Sequence, residues 1–375
     1  MIHSNGLITE STNESTANAI AGGVWGTAAG DALGLPCEGL TRPRIAALFG
    51  DVPDAHRLLF GRGMISDDTE HTLLVLDALT ACGGDPQRFA AGFARGLRRW
   101  FCALPAGVGL ATLRACLRLC AGIAPARSGV RSAGNGAAMR AAILGAACAG
   151  DADTNRLRAL VAASTRVTHT DERAEHGALA VAVAARCFAR GEIGSANALA
   201  DAGAALPLSA SELSAWLTRV GDSLAVGETT PQFAARAVPG AGVSGYVCHS
   251  VPVALHAALS APNDFRAAVR NAIACGGDTD TVAAITGGIV GAHTGAAGIP
   301  EEWRRKIWEP TGALADIEAR AARLVRAMAS GVGEPVRRAP YPLSLARNAL
   351  FAAVVIAHGL RRLLPPYTPR KAAPR

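Results

Sequence analysis

Two adjacent carboxylates flanked by hydroxyls stand at Ser66-Asp67-Asp68-Thr69, directly before a periodic apolar run of Leu73, Leu74, Leu76 and Leu79. Ser66 or Asp67 reads as a helix N-cap, and acids in a first turn sit where the positive end of the helix dipole favours them. Such a turn alone needs no chemistry. The pattern returns, however, far along the chain: Gly276-Gly277-Asp278-Thr279-Asp280-Thr281 again opens an apolar segment. Two carboxylate pairs at two helix entries can converge on one point. Oxygen-only donors of this kind suit hard cations such as Mg2+ or Mn2+ rather than zinc. Four carboxylates are enough to hold two cations about 4 Å apart, the spacing that two-metal hydrolytic sites use.

Other segments must position these acids. In residues 20–40, Gly22, Gly26, Gly30 and Gly34 recur four apart and leave one helix face bare. A bare face lets another backbone approach, at a propensity cost near ~1 kcal/mol per glycine. Asp31 lies in this apolar stretch and Glu38 follows Pro36; a carboxylate in such surroundings needs a partner. Residues 42–63, broken by Pro43, Gly50, Pro53, Gly61 and Gly63, read as a long loop delivering Ser66. Helix-like segments are expected near 69–82, 86–103, 109–120, 135–149, 154–165, 172–190 and 313–329, with a closely packed one over 282–293. Before the fourth, Ser132-Ala133-Gly134-Asn135-Gly136 is a small-residue entry whose backbone N–H groups can face an anion or a sugar. Thr168-His169-Thr170-Asp171 precedes another Ala-rich helix; a lone histidine there is either a satisfied structural group or a functional one.

Composition favours helix. Half the residues are hydrophobic, aromatics are 5%, and β-branched runs are scarce. The net charge of +7 is uneven: residues 335–375 carry Arg337, Arg338, Arg347, Arg361, Arg362, Arg370, Lys371 and Arg375 and no acid. The remainder holds 29 basic against 30 acidic side chains, so the body is no nucleic-acid-binding surface. Nine scattered cysteines without CxxC, and a polar N-terminal stretch (residues 1–18) without an apolar targeting core, point to a reduced, cytoplasmic protein. No histidine pair has zinc spacing. Gly240–Gly245 matches GxGxxG formally but lacks a preceding strand, there is no GxxxxGK[ST], and Asp278-Thr279-Asp280 lacks the rest of an EF-hand loop.

The ordered set GDALGxPxE, SDDT, SxGNGAAMR, THTD and GGDTDT resembles the ADP-ribosylglycohydrolase family, which includes the dinitrogenase reductase-activating glycohydrolases. The resemblance covers roughly residues 20–330. It implies an all-α fold, a single orthogonal multi-helix catalytic domain over 19–330, followed by a linker and a basic amphipathic tail over 331–375. It also implies two Mg2+ or Mn2+ ions and removal of ADP-ribose from ADP-ribosylated protein, with arginine as the expected acceptor, or from an ADP-ribose-containing small molecule. Carried onto this sequence, the metal ligands fall on Ser66, Asp67, Asp68, Asp278, Asp280 and Thr281. The ADP-ribose-binding residues fall on Ser132, Gly134, Asn135, Gly136 and His169, and catalytic carboxylates on Glu38, Asp67 and Asp280. Ser66 stands where threonine is commoner, which keeps the hydroxyl; Ala133 stands where some members have an aromatic. Cleaving an N-glycosidic bond builds oxocarbenium character at the ribose carbon, and a carboxylate takes the attacking water's proton. The residues leave open which carboxylate that is. They also leave open a weakly catalytic ADP-ribose-binding protein on the same fold.

The tail lies outside the resemblance. Residues 344–364 have an apolar centre, Ala349–Ala357, with Arg347 before it and His358, Arg361 and Arg362 after it; Pro365-Pro366 stops the run. That centre is shorter than the roughly 20 residues of a membrane span. Docking on the body ranks first, ahead of contact with an anionic membrane or a partner protein.

Overall fold

The computed structural model describes residues 2–151, 153–238, 240 and 242–363, with side chains from residue 12 to 361. The fold is all-α; among the described residues extended pairing is limited to isolated bridges between loops. In chain order the helices are α1 Ile2–Gly34, α2 Arg42–Phe49, α3 Asp67–Cys82, α4 Pro86–Cys102, α5 Leu110–Cys120, α6 Pro125–Ser128, α7 Ala142–Ala147, α8 Asn155–Arg166 and α9 Glu172–Ala189. They continue as α10 Ser195–Ala205, α11 Ser211–Ala225, α12 Thr230–Ala237, α13 Val247–Ser260, α14 Phe265–Ile273, α15 Thr279–Thr294, α16 Glu301–Arg305, α17 Ile317–Ser330 and α18 Tyr341–Leu363.

Helices α1 and α15 run antiparallel at the centre, and the glycine seam is where they meet. A methyl group on Gly22 would lie 2.1 Å from the Gly291 carbonyl oxygen, one on Gly26 2.0 Å from that of Gly287, and one on Gly30 2.1 Å from that of Ala283. At the far end Gly34 faces Thr279, whose hydroxyl donates to the Gly34 carbonyl at 2.9 Å. The C-terminal end of α1 and the N-terminal end of α15 therefore coincide. Helix α3 is brought to the same place by Asp31, fully buried on α1. Its Oδ2 accepts from Ser66 N at 2.9 Å, Thr69 N at 3.2 Å and Thr69 Oγ1 at 2.5 Å. These are the partners that burial requires of Oδ2. Helices α7, α9, α13, α14 and α17 pack around this centre with an interior of mostly alanine, valine and leucine.

Two expectations are corrected. Residues 42–63 are not loop throughout: Pro43 starts α2 rather than breaking a helix, since proline is tolerated in a first turn, and Gly50 (φ 80°) ends it. The helix expected over 135–149 is a 3-10 turn, Asn135–Arg140, followed by the short α7. Arg140's own guanidinium bonds the Gly136 carbonyl, the acceptor that an α-helix would give to the Arg140 backbone N–H. The segment expected as a linker, 331–335, lies between α17 and α18 outside both and rests on α3, where Glu334 N donates to the Thr80 carbonyl at 2.9 Å and Gly333 lies against Ala81.

The tail helix α18 docks on the body: Arg347, Asn348 and Phe351 are buried. Docking holds one face of α18, while Leu350, Ile356 and Leu360 stay exposed. Its apolar extent exceeds the nine-residue centre, because Tyr341–Arg361 has a mean hydropathy of 1.5 and is long and apolar enough to cross a membrane. Of that stretch 17% is buried against the body. The expected stop at Pro365-Pro366, and Arg370, Lys371 and Arg375, lie outside the described residues, as do Pro239 and Ala241 beside the GxGxxG-like run.

The seam makes a stability prediction. Gly26→Ala should destabilise the protein by about 1–3 kcal/mol through overpacking, although alanine gains about 1 kcal/mol in helix propensity. Gly359→Ala, on α18 with nothing near its added methyl, should be neutral or stabilising. Urea unfolding of the two variants checks this; equal midpoints for Gly26→Ala and wild type would discard the close-approach account.

Candidate active site

The first carboxylate pair is presented by the start of α3. Ser66 is its N-cap: the hydroxyl accepts from Asp68 N at 3.3 Å and donates to Asp68 Oδ2 at 3.2 Å. The second pair opens α15, and here the cap behaves differently. Asp278 makes no side-chain bond to its own helix; its Oδ2 accepts from Asn135 Nδ2 at 2.7 Å. Thr281 Oγ1 donates to Asp68 Oδ2 at 3.3 Å, so the two motifs touch directly.

Glycine makes the junction possible. Gly276 and Gly277 adopt φ of 68° and 82°, and a methyl on Gly277 would sit 2.0 Å from the Val243 carbonyl oxygen. Gly277 O accepts from Gly39 N at 2.7 Å, Gly277 N donates to Leu40 O at 2.9 Å, and Asp278 N donates to Val243 O at 2.8 Å. The segment after Glu38, the 242–247 segment and the entry to α15 are thereby held together. Asn135 N donates to Gly245 O at 3.0 Å, which adds the 132–136 turn to the same junction.

All the expected residues line one cleft of about 340 Å3: Glu38, Ser66, Asp67, Asp68, Ser132, Gly134, Asn135, Gly136, His169, Asp278, Asp280 and Thr281. The volume falls in the range of small-molecule sites. Glu38 is exposed at its edge, Asp67 and Asp278 are half-buried, and Asp68 and Asp280 are buried.

Its electrostatics favour cations. Burial, and then the neighbouring carboxylates, push Asp67, Asp68 and Asp280 well above the usual carboxylate range. Asp280 feels Glu38, Asp278 and Asp68; Asp68 feels Asp31, Asp67 and Asp278. None of Asp31, Asp67, Asp68, Asp278 or Asp280 is in an ion pair among the described residues. Asp31 Oδ1, Asp68 Oδ1 and Asp280 Oδ1 are buried with no hydrogen-bond partner. Buried oxygens without partners are costly, and oxygen-only donors among hydroxyls fit hard divalent cations. Among the described residues, the group of three such side chains with donor atoms within 4.8 Å of one another is not in the cleft but at Cys187, Glu192 and Asp201, on and beside α9 and α10. That group mixes a thiol with carboxylates, lines no part of the cleft, and is not the donor set a hard cation selects.

The 132–136 turn differs from expectation in one respect. Its backbone donors are partly used within the protein, Gly134 N on Ser132 Oγ at 3.3 Å and Asn135 N on Gly245 O. His169 Nδ1 lies 2.8 Å from Thr168 Oγ1, and the ring packs beside Gly134 and Gly136. Burial and then the Arg140 charge push His169 down to about 3, so it works as a neutral hydrogen-bonding group.

Four contributors were not singled out as site residues by the sequence. Asp31 had a signal, a carboxylate in an apolar helix. Arg140 closes the cited GNGAAMR run and is fully buried; it bonds Ser164 Oγ at 3.1 Å, Ser164 O at 3.0 Å and Thr168 Oγ1 at 2.7 Å, tying the 132–136 turn to the His169 segment. Burial lowers this guanidinium to about 9, so it stays charged at neutral pH. Phe351 and Val355 of α18 also line the cleft, and nothing in the sequence tied them to it.

Comparison with known proteins agrees with this geometry. The family described as ADP-ribosylglycohydrolase matches residues 12–332. An uncharacterized protein of Archaeoglobus fulgidus is 32% identical over 290 residues, 75% of this chain and 88% of that protein. Human ADP-ribosylhydrolase ARH3 is 30% identical over 222 residues, 51% of this chain and 60% of its own length. A solved structure described as an ADP-ribosylglycohydrolase-related protein complex superposes with a TM-score of 0.59 at 25% identity, covering 84% of this chain and 99% of the other. With its all-α fold and the two acidic motifs meeting in one cleft, the chain belongs to the ADP-ribosylglycohydrolase family.

Proposed function

We propose that this protein is a hydrolase that removes ADP-ribose from modified protein side chains, arginine foremost, by cleaving the N-glycosidic bond in a reaction that depends on divalent cations. The observation that carries the reading is the convergence of both carboxylate pairs, with orphaned oxygens on Asp68 and Asp280, beside the 132–136 turn. Ser66, Asp67, Asp68, Asp278, Asp280 and Thr281 are the residues to hold two ions, Mg2+ or Mn2+. Such ions neutralise the acids, orient ribose hydroxyls and stabilise developing charge.

The chain's own side chains do the rest. Asn135 buttresses Asp278, while neutral His169 and the 132–136 turn form the sugar-binding edge. Glu38, exposed at the rim, is the cleft carboxylate left free of cation-holding duty in this assignment. We assign it the proton of the water that attacks the ribose anomeric carbon. Nine free cysteines are in keeping with a reducing, cytoplasmic setting for the reaction.

Asp68→Asn and Asp280→Asn should each cut turnover of an ADP-ribosyl-arginine protein by on the order of a thousandfold, and chelation should abolish it. Chelated protein with full turnover would end the cation-dependent reading. Glu38→Gln should lower kcat far more than it weakens ADP-ribose binding; equal losses would make Glu38 a binding residue.

The raised carboxylates also set a pH dependence. They bind protons more tightly in the folded than in the unfolded chain, so the stability they contribute is present in acid and is lost as pH rises through their folded values. In chelator the melting temperature should therefore fall as pH climbs from about 4, the ordinary carboxylate value, and Asp68→Asn should flatten the fall. Saturating Mg2+ or Mn2+ should raise the melting temperature most at the high-pH end, where the acids are ionised. A chelated profile of the same slope in Asp68→Asn and wild type would contradict this.

A further inference from the structure

Helix α18 begins beyond residue 332, where the family match ends, yet it forms one wall of the cleft. Phe351 is 3% exposed and packs against Leu35 and Met64, the apolar residues that lead into Glu38 and Ser66. Val355, half-buried, lines the cleft one turn further along.

The helix is clamped to three segments that border the cleft. Arg347, 3% exposed, donates to the Ile65 carbonyl immediately before Ser66, pairs with Glu70 of α3 at 2.9 Å and with Glu309 at 3.1 Å. Asn348 Nδ2 donates to the Ala103 carbonyl at 2.8 Å, and Tyr341 hydroxyl to the Cys102 carbonyl at 2.5 Å, which fixes the start of the 103–109 turn. His358 Nε2 lies 3.1 Å from the Pro36 carbonyl oxygen, two residues before Glu38. A buried arginine with two carboxylate partners holds one geometry, because leaving any of these charges unpaired is strongly destabilising. The wall is therefore a rigid apolar surface at the Glu38 and Ser66 edge. The sugar-binding turn lies at the other edge, on Asp278 and His169.

We propose that α18 is the acceptor-selecting wall of the active site, with Phe351 and Val355 setting by size which ADP-ribosylated group can be seated against Glu38. This rests on the hydrolase reading above and adds to it. An apolar wall offers no charge to a guanidine or carboxylate, so it discriminates by bulk: a flexible side chain or small acceptor fits, and one flanked by rigid protein surface does not.

Deleting the helix would uncover Leu35 and Met64, so the test uses point variants. Val355→Ala and Phe351→Leu widen the wall, and Val355→Trp narrows it. For each, kcat/KM is measured on a small ADP-ribosyl-arginine compound and on a folded ADP-ribosyl-arginine protein, with ADP-ribose affinity measured by calorimetry. The protein-to-small-substrate ratio should rise about tenfold in the widened variants and fall about tenfold in Val355→Trp, the scale at which pocket size discriminates substrates. The change should lie in KM for the protein substrate, with ADP-ribose affinity held within about twofold, a pattern that a loosened fold does not produce. A ratio unchanged in all three variants, with wild type active, would make α18 structural cover and overturn the proposal alone. Wild type that releases no ADP-ribose from either substrate would overturn the hydrolase reading and this one with it.

Discussion

The structure depends on the bare-backbone contact between α1 and α15. Helices with ordinary side chains stay 8–10 Å apart. Here glycines at four successive turns remove the side chains, and the neighbouring carbonyl oxygens fill the space. The contact is so close that it admits one register. Gly34 must face Thr279, and with it the end of one helix meets the start of the other. Everything acidic in the cleft is placed relative to that meeting point.

A second constraint is electrostatic. Several carboxylates share one poorly solvated space, and they repel one another. The protein does not meet this charge with arginines at the cleft itself. It uses arginines one layer back: Arg140 braces the turn and histidine segment, and Arg347 pairs with Glu70 and Glu309 behind α3. Asp31 holds the start of α3 from inside, one of its oxygens accepting from the N–H groups of Ser66 and Thr69. The acids that face the cleft are thereby left available to cations, and their backbone is held from behind.

Much of the site was legible because its residues carry chemistry that the fold must justify. Paired acids at helix entries, hydroxyls beside them and glycines before them are short-range patterns, and all twelve expected residues line the cleft. The misreadings were also local. A proline such as Pro43 suggests a break, yet it lies in the first turn of α2; residues 135–140 suggest an α-helix, yet Arg140's side chain captures a backbone acceptor there. In both, a side chain's tertiary partner or its place within a turn outweighed the intrinsic preference of the segment.

By itself the sequence determined that the chain is helical, that one helix face is stripped for close approach, and that two carboxylate-and-hydroxyl motifs open two helices. These follow from residue type and spacing along one element, which periodicity exposes. Only the tertiary structure decided what each motif meets. It put Asp31 under α3, turned Asp278 away from its own helix toward Asn135, and laid Phe351 and Val355 across the cleft. Such pairings join residues far apart in the chain, and an apolar helix face carries no mark of the surface it will cover. Burial is rewarded by area and fit, not by sequence address, so the partner is settled only when the whole interior packs.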